Sequence, residues 1–387
     1  MSTVPLILAP HFYYSLIGHL WLVLAVSFYS IGAMLVSAGF STVPSSGFSF
    51  VLSRGVMRQC YTLVLLCSAV GSLLVVDVGS QYVNSWSEVS DVSGLAAIGV
   101  LSASDRYAGD FGFSAVQALL LAVNYSGCIL AGFLLATRSK ANVLILITPI
   151  LSLIVFSLIT NGKGAVLYGI LLMISGWMAA KYCFCKMTAI PVNFKAIRLF
   201  GVSIVALCGF MYWIQWIRYG DSLILYDFFA VYGLGYLGGF FYWMDFYYSM
   251  EQAPHMGTAS FGWLTSVLGI AEYRPETLEY KWLTPSLETN VNTIFAKVIL
   301  DYGHFGGLII FFLVGLMFEM LATIARRSGS IFAPLITLVY AVILWSWITS
   351  LFNYLTIIIA VVLCAVILFL IRWRPSYCPQ HSNVVKK

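Results

Sequence analysis

The sequence carries little charge for its length. Only 9% of its 387 residues are Asp, Glu, Lys or Arg, whereas 61% are hydrophobic and the mean hydropathy is +0.93. Soluble globular proteins carry about 25% charged residues, so this composition argues against a soluble domain and predicts a polytopic membrane protein. No basic residue precedes the first apolar run in MSTVPLILAPHF, which argues against a cleaved signal peptide there.

The motifs of several soluble enzyme classes are also missing. The chain contains no HExxH, GxSxG, Walker loop, dinucleotide fingerprint or DxD-type metal site. Cys183 and Cys185 have no second ligand pair nearby, so a zinc site is not predicted. None of the eight cysteines falls in a segment that we assign to the outer side, so disulfides are not expected. We expect no metal, no nucleotide or other cofactor, and no nucleic-acid partner.

Apolar runs of about 20 residues, long enough to cross a bilayer as helices, recur along the chain. The segment 226–250 is a further candidate, either as another crossing or as a re-entrant pair with 258–271. We therefore predict an all-α, polytopic integral membrane protein that forms a single transmembrane domain over residues 1–387, with about 9–11 transmembrane helices. The nine clearest runs are 13–37, 59–77, 114–136, 142–160, 164–182, 197–217, 294–322, 331–350 and 354–371.

The positive charges predict an orientation for these helices. With the N-terminus outside, 14 of the 20 basic residues fall on the inner side in short loops or at the C-terminus, together with one of the 15 acidic residues. The side rich in Lys and Arg is the cytoplasmic one. Two outer segments, 78–113 and 218–292, are too long to be simple connectors. The longer one precedes the third-last helix, and a loop of that length usually has a function.

The start of the third-last helix carries an unusual set of polar residues. At about 100° per residue, they fall in one wedge of the helix: Asn290, Thr293, Lys297, Asp301, His304 and Glu319. Hydrocarbon cannot solvate ionisable side chains, so this wedge must face a polar interior or its members must face one another. It either lines a reaction chamber at the outer membrane surface or contains a Lys297–Asp301 pair that neutralises itself within the bundle.

Basic residues are scarce on the outer side, where positive charge impedes translocation of short loops. A guanidinium group binds phosphate oxygens in a bidentate manner and an ammonium group adds a point charge, so these residues could hold a lipid pyrophosphate as a leaving group. The alternative is a local ion pair with a neighbouring acid, which is favoured for Arg274 and Lys281 and less so for Arg218 and Lys163. The candidates are Arg218, Lys163, Arg106, Arg274 and Lys281.

Two further groups bear on the chemistry. Tyr and Trp residues crowd the segment 212–248, where some form an interfacial belt and others could stack on sugar rings. The second group contains the outer acids and histidines from which a general base would come. Its members are Asp301, Glu288, Asp245, Glu272, His304 and His255.

Four short motifs give the chain a family resemblance. Asn290-Val291-Asn292-Thr293, followed by Asp301-Tyr302-Gly303 and Gly306, resembles the Asn-Val-x-Thr and Asp-Phe-Gly-x-x-Gly elements of Wzy-type O-antigen polymerases. Gly257-Thr258-Ala259-Ser260-Phe261 is similar to their Gly-x-x-Thr-Phe element. Asn161-Gly162-Lys163 is similar to their Gly-Ser-Arg turn. Tyr302 replaces the family's phenylalanine, and Lys163 replaces its arginine with a group that cannot bind in a bidentate manner.

The resemblance implies a metal- and nucleotide-independent membrane glycosyltransferase. Such an enzyme moves a growing polysaccharide from undecaprenyl pyrophosphate to a new lipid-linked repeat unit, at the periplasmic face of the bacterial inner membrane. Asp301, Arg218 and His304 are then expected at the catalytic centre. The implied partners are lipid-linked oligosaccharide and polysaccharide, membrane lipid, a chain-length regulator and a flippase. The residues expected to bind substrate are Lys163, Arg106, Arg274, Lys281, Asn290, Asn292, Thr293 and Lys297.

Three other functions remain open, of which one is a scaffold role in envelope assembly. An O-antigen ligase passes the same donor to lipid A-core, and a catalytic histidine in the large outer loop would favour it; only His255 and His304 are available. A flippase or transporter for lipid-linked sugars would instead place charges along several helices and show internal repeats.

Overall fold

The structure is a computed structural model, and it describes most of the helical parts of the chain. The described residues are 14–39, 48–51, 53–83, 92–108, 113–136, 142–184, 205, 208–210, 212–213, 216, 235–246, 257–269, 281–284, 287–289, 293–328, 332–346, 348–371 and 376–379.

Regular structure in these residues is mainly helical. The helices are α1 (Leu16–Gly39), α2 (Arg54–Gly79), α3 (Val92–Ala108), α4 (Ala115–Leu135), α5 (Val143–Leu146), α6 (Thr148–Thr160), α7 (Gly164–Phe184), α8 (Tyr236–Phe246), α9 (Thr258–Val267), α10 (Ile294–Ser328), α11 (Ala333–Trp345) and α12 (Leu355–Leu370). A 3₁₀ turn, Leu351–Asn353, precedes α12. Four short strands form two antiparallel pairs: β1 (Phe48–Val51) with β4 (Ser376–Pro379), and β2 (Lys281–Thr284) with β3 (Leu287–Thr289).

Within the described residues, six helical segments are long and apolar enough to cross a membrane, and α11 and α12 are shorter apolar helices. This finding agrees with the prediction of a helical, multi-pass membrane protein. Of the predicted helix 197–217, 14 of 21 residues lie outside the described residues. In the candidate tenth crossing the described helix, α8, has only 11 residues, fewer than the roughly 20 needed to span a bilayer. The six long segments are Leu16–Gly39, Arg54–Gly79, Ala115–Leu135, Val143–Thr160, Gly164–Cys183 and Ile294–Ala325.

The chain clusters into two compact units. The first contains Met1–Thr42, Leu223–Thr323 and Ala341–Leu355; the second contains Val43–Ser222, Ile324–Tyr340 and Thr356–Lys387. No shift in composition along the sequence marks the boundaries between these interleaved segments, and the predicted single domain over 1–387 stays a prediction.

Close helix crossings build the second unit. A Cβ on Gly132 of α4 would overlap the Met173 carbonyl oxygen of α7, so these helices approach with no side chain between them. Small residues at an interface allow such an approach between membrane helices. Helix α3, which occupies the predicted outer segment 78–113, packs on the end of α6, where the Ser102 hydroxyl donates to the Ile159 carbonyl at 2.8 Å.

In the first unit, α1 packs against α10. A Cβ on Gly32 would overlap the Phe312 carbonyl oxygen, and one on Gly315 would overlap the Tyr29 carbonyl oxygen. Near the start of this crossing the Trp21 indole N–H donates to the His304 carbonyl at 3.2 Å. Helix α8 contributes the fully buried side chains of Phe240, Phe241 and Trp243 to the same core.

Helix α10 is interrupted, which corrects the prediction of a continuous helix over 294–322. Gly303 has φ 71° and ψ 177°, a backbone conformation that is essentially restricted to glycine. The regular 100° step therefore ends at this residue. Thr293, Lys297 and Asp301 precede the break and share one helix face, as predicted. His304 and Glu319 follow the break, so the 100° step per residue that placed them on the same face does not apply to them.

Candidate functional site

The Asp301 carboxylate is at the centre of a polar cluster in the first unit. Its side chain is 1% exposed. One oxygen accepts the Ala259 backbone N–H at 3.0 Å and the other accepts the Ser260 N–H at 2.7 Å. Both N–H groups belong to the first turn of α9, where helical donors have no partner within their own helix. Asp301 therefore caps α9 from a different helix, and its charge favours that helix terminus.

Helix α9 is itself broken one residue later. Phe261 has φ −132° and ψ 34°, so backbone groups on either side of it need partners outside the regular helical ladder. The Asn353 side chain supplies two of them. Its amide N–H donates to the Ala259 carbonyl at 2.6 Å, and its carbonyl oxygen accepts the Gly262 N–H at 2.9 Å.

The turn between α11 and α12, residues 346–353, makes further hydrogen bonds to this cluster. The Ser350 hydroxyl donates to the Ser260 carbonyl at 2.9 Å. The Lys297 ammonium, whose side chain is 2% exposed, donates to the Thr349 hydroxyl at 2.9 Å. We call this segment the clamp turn, because it holds both α9 and the first half of α10.

Two glycines allow the backbone to approach closely at this position. Gly257 precedes α9 with φ 89°, and a Cβ on it would lie 2.9 Å from the Tyr302 hydroxyl oxygen. Gly303 follows Tyr302 and provides the break in α10. A side chain at Gly257 would be strained by its backbone angle and would crowd Tyr302. The start of α9 and Tyr302 of α10 can therefore approach each other this closely only with glycine at position 257.

Helix α9 also carries buried donors without an acceptor. Within the described part of the chain, the Ser260 hydroxyl and the Trp263 indole N–H are buried and have no hydrogen-bond partner. They lie three residues apart on α9, on either side of the Phe261 break. Buried polar groups are normally satisfied, so these two donors can serve an oxygen acceptor of a ligand or a bound water.

The structure brings three of the predicted site residues together and leaves the others apart or undescribed. Thr293 caps the start of α10 through its hydroxyl, which accepts the Ala296 N–H at 3.3 Å, and it lies on the buried face with Lys297 and Asp301. His304 is half-buried just beyond the break. Its carbonyl oxygen, rather than its ring, makes the hydrogen bond to Trp21.

The predicted basic residues fall into three groups. Lys163 follows the left-handed Asn161 in the tight turn between α6 and α7 of the second unit. Arg106 is in α3 and Lys281 is in β2, with side chains that are not described. The remaining predicted site residues lie outside the described residues, and their roles stay predictions. They are Arg218, Arg274, Asn290 and Asn292.

The other candidate bases divide similarly. Asp245, at the end of α8, accepts a hydrogen bond from the Ser15 hydroxyl at 2.7 Å, and Glu288 is in β3. His255 and Glu272 lie outside the described residues. Among the residues that the structure describes, no group of three or more His, Cys, Asp and Glu side chains could hold a metal ion.

Sequence reasoning missed the clamp turn. Thr349, Ser350 and Asn353 fall at the junction of two predicted helices, where polar residues are expected for ordinary reasons. The available signal was their density, three polar side chains within five residues between two strongly apolar segments.

Comparison of the chain with protein-family models, with curated proteins and with solved structures finds no match.

Proposed function

We propose that the protein is an O-antigen polymerase, a membrane glycosyltransferase of the bacterial inner membrane. It transfers a growing polysaccharide from undecaprenyl pyrophosphate to the sugar of a new lipid-linked repeat unit. In this proposal the chain has about 9–11 transmembrane helices, and residues 78–113 and 218–292 face the periplasm. The substrates, the polysaccharide and the side of the membrane come from the family resemblance.

One observation carries the proposal. Two motifs of the resemblance, Gly257–Phe261 and Asp301–Gly303, are about 40 residues apart in sequence but form one hydrogen-bonded cluster through the Asp301 carboxylate. Nothing in the resemblance required that these motifs touch. Their contact supports the interpretation that both belong to a single functional site, with Thr293 and Lys297 on the adjoining helix face.

The proposed roles follow from the chemistry of the side chains. Arg218 and the other outer cations bind the pyrophosphate and stabilise the charge that develops as it leaves. Asp301 accepts one backbone N–H at each oxygen, which stabilises the ionised form and makes the carboxylate a weaker base. Its present geometry favours a positioning role, in which it fixes the α9 backbone that carries the Ser260 and Trp263 donors.

The test is a gel of surface lipopolysaccharide from a strain that lacks the protein. We expect the ladder of long chains to disappear while lipid A-core with a single repeat unit remains. Re-expression of the wild-type chain should restore the ladder. A normal ladder in the deletion strain would reject the proposal. Loss of the single repeat as well would indicate a ligase or a flippase.

A second candidate, a transporter of lipid-linked sugars, is favoured by the two interrupted helices. Transporters commonly build their sites from broken helices with ionisable residues at the half-helix ends, and α9 and α10 are both broken next to Asp301. The two functions differ in where the substrate accumulates. A transporter deletion leaves unpolymerised lipid-linked repeat units on the cytoplasmic side, whereas a polymerase deletion leaves them on the periplasmic side.

A further inference from the structure

An apolar cavity of about 280 Å³ lies in the first unit, beside the polar cluster. Helix α1, both the start and the middle of α10, the end of α11, the clamp turn and the α9 break all contribute to its wall. Only Tyr29, Ser30 and Ser346 bring polar atoms; the other lining side chains are apolar.

One wall of the cavity is built by residues that are next in sequence to members of the polar cluster. Phe261 is the residue at which α9 breaks, directly between Ser260 and Gly262. Phe352 precedes Asn353, whose amide bridges that break. The two rings are in contact, with centroids 5.1 Å apart. The apolar cavity therefore begins one residue along the chain from Ser260 and from Asn353.

The rim of the cavity includes apolar side chains that are exposed on the surface of the first unit. Val26 of α1 is 57% exposed and Ile343 of α11 is 42% exposed, and both line the cavity. Helix α1 is one of the segments long and apolar enough to cross a membrane. The medium around these side chains is then hydrocarbon. A water molecule needs two to four polar partners to remain in a cavity, which this wall does not provide over most of its area.

We infer that the cavity binds one hydrocarbon chain of the lipid-linked substrate, admitted from the bilayer past Val26 and Ile343. This inference rests on the proposed function and assigns a place to the lipid part of its substrate. The volume suits a segment of a single chain, below the usual range of about 300–1,000 Å³ for small-molecule pockets. A polar head at the cluster and a chain in the cavity together describe an amphipathic ligand. A two-chain phospholipid fits that arrangement less well.

The test uses a matched pair of substitutions at neighbouring positions of α10. Val314 lines the cavity, whereas Leu313 is 49% exposed and does not line it. The probe is a polyprenyl phosphate that carries a photoreactive diazirine on its chain, added to the purified full-length protein in detergent. We expect the wild type and Leu313→Phe to be labelled equally. Val314→Phe should be labelled at least tenfold less, because phenylalanine fills the cavity.

A second measurement does not depend on how well the variants fold. Mass spectrometry of the labelled wild-type protein should place the adduct in peptides that line the cavity, which contain residues 26–30, 261, 294–298, 310–318, 342–346 or 352. Labelling confined to other peptides overturns the inference, as does equal labelling of both variants. Competition by excess unlabelled phosphatidylglycerol would assign the cavity to a phospholipid and would likewise overturn it. Labelling is measured without polymer synthesis, so a normal ladder in the deletion strain rejects the polymerase while leaving the lipid-chain site intact.

Discussion

The Asp301 carboxylate is buried, yet each of its oxygens accepts a backbone N–H group. A buried charge is tolerated when hydrogen bonds satisfy it, and here the donors are the free N–H groups at the start of α9. Lys297, one turn earlier, donates to Thr349. The sequence left open a Lys297–Asp301 pair that only neutralises itself. In the structure each of these side chains also has hydrogen-bonding partners of its own, in the clamp turn and in α9.

Replacement of Asp301 by Asn should destabilise the protein. The asparagine offers one oxygen acceptor, so either Ala259 or Ser260 would face an amide nitrogen and lose its partner. An unsatisfied buried donor costs about 1–3 kcal/mol, and we expect a lower thermal midpoint in detergent. Asp77→Asn is the control, because Asp77 accepts a hydrogen bond from Gln117 at one oxygen, which an asparagine oxygen can also accept. An unchanged midpoint together with lost polysaccharide would instead identify Asp301 as a base.

Replacement of Arg218 by Ala should abolish polymerisation while the protein still inserts. Loss of a group that stabilises transition-state charge typically lowers the rate about 100-fold or more. The gel of surface lipopolysaccharide checks this result, and membrane fractionation checks insertion. Arg198→Ala is a matched control, because Arg198 lies at the predicted inner end of the same helix, 197–217. A normal ladder in the Arg218 variant would remove this residue from the proposed catalytic centre.

At the scale of secondary-structure elements, the break in α10 separates a buried polar half from a lipid-exposed half. Before Gly303, the residues Thr293, Lys297 and Asp301 face the interior; beyond it, Ile309, Leu313 and other large apolar side chains are exposed. In a bilayer, irregular backbone is tolerated only where protein or a polar cavity surrounds it. The polar cluster provides this surrounding, so the break and the cluster depend on each other.

Replacement of Gly303 by Ala should disrupt this element. The φ of 71° with a ψ of 177° is accessible almost only to glycine, and a side chain there costs on the order of 1–3 kcal/mol. We expect a lower thermal midpoint and loss of polysaccharide. Gly39→Ala controls for the general effect of adding a methyl group, because a Cβ at Gly39 meets nothing within 4 Å. Equal stability of the two variants would contradict the α10 break.

Replacement of Gly32 by Ala should loosen the packing of α1 on α10. The added Cβ would overlap the Phe312 carbonyl and lie 3.0 Å from the Leu316 nitrogen, and neither backbone atom can rotate away. Overpacking of this kind costs about 1–3 kcal/mol. In the same helix Gly39→Ala should change stability by no more than about 1 kcal/mol. Unfolding of both variants in the same detergent measures the difference, and a Gly32→Ala variant as stable as the wild type would refute this close crossing.

The helices also show which features of the fold could be predicted from the sequence and which could not. Hydrophobic runs and their length predicted the long helices, because hydrocarbon requires about 20 apolar residues for each crossing. The break in α10 could not be located in this way. Gly303, Gly306 and Gly307 are equivalent by propensity, and only the contacts of Asp301 and Tyr302 with the start of α9 select Gly303. The role of Asn353 could not be predicted either, because its side chain bridges a break in α9 that lies about 90 residues earlier in the sequence.

At the scale of the whole molecule, the contacts within each unit join elements that the sequence assigns to one side of the membrane, and which side that is stays a prediction. In the first unit, the cluster joins α9, the start of α10 and the clamp turn, all of which the charge distribution assigns to the outer side. In the second unit, α3 from the outer segment 78–113 contacts the end of α6 that leads into the Asn161 turn. Elements on opposite sides of a bilayer could not touch, so the predicted arrangement of loops is consistent with both sets of contacts.

Cysteine labelling tests which side of the membrane these elements face. In a cysteine-depleted protein that keeps activity, Met250→Cys lies in the segment 218–292 and Ile190→Cys lies in a basic segment between two predicted helices. Because basic residues are retained in the cytoplasm, a membrane-impermeant maleimide added to intact spheroplasts should modify position 250 and not position 190. Both positions should react after the membrane is permeabilised, which controls for burial. The reverse pattern would place the outer cations in the cytoplasm and would be incompatible with a periplasmic polymerase.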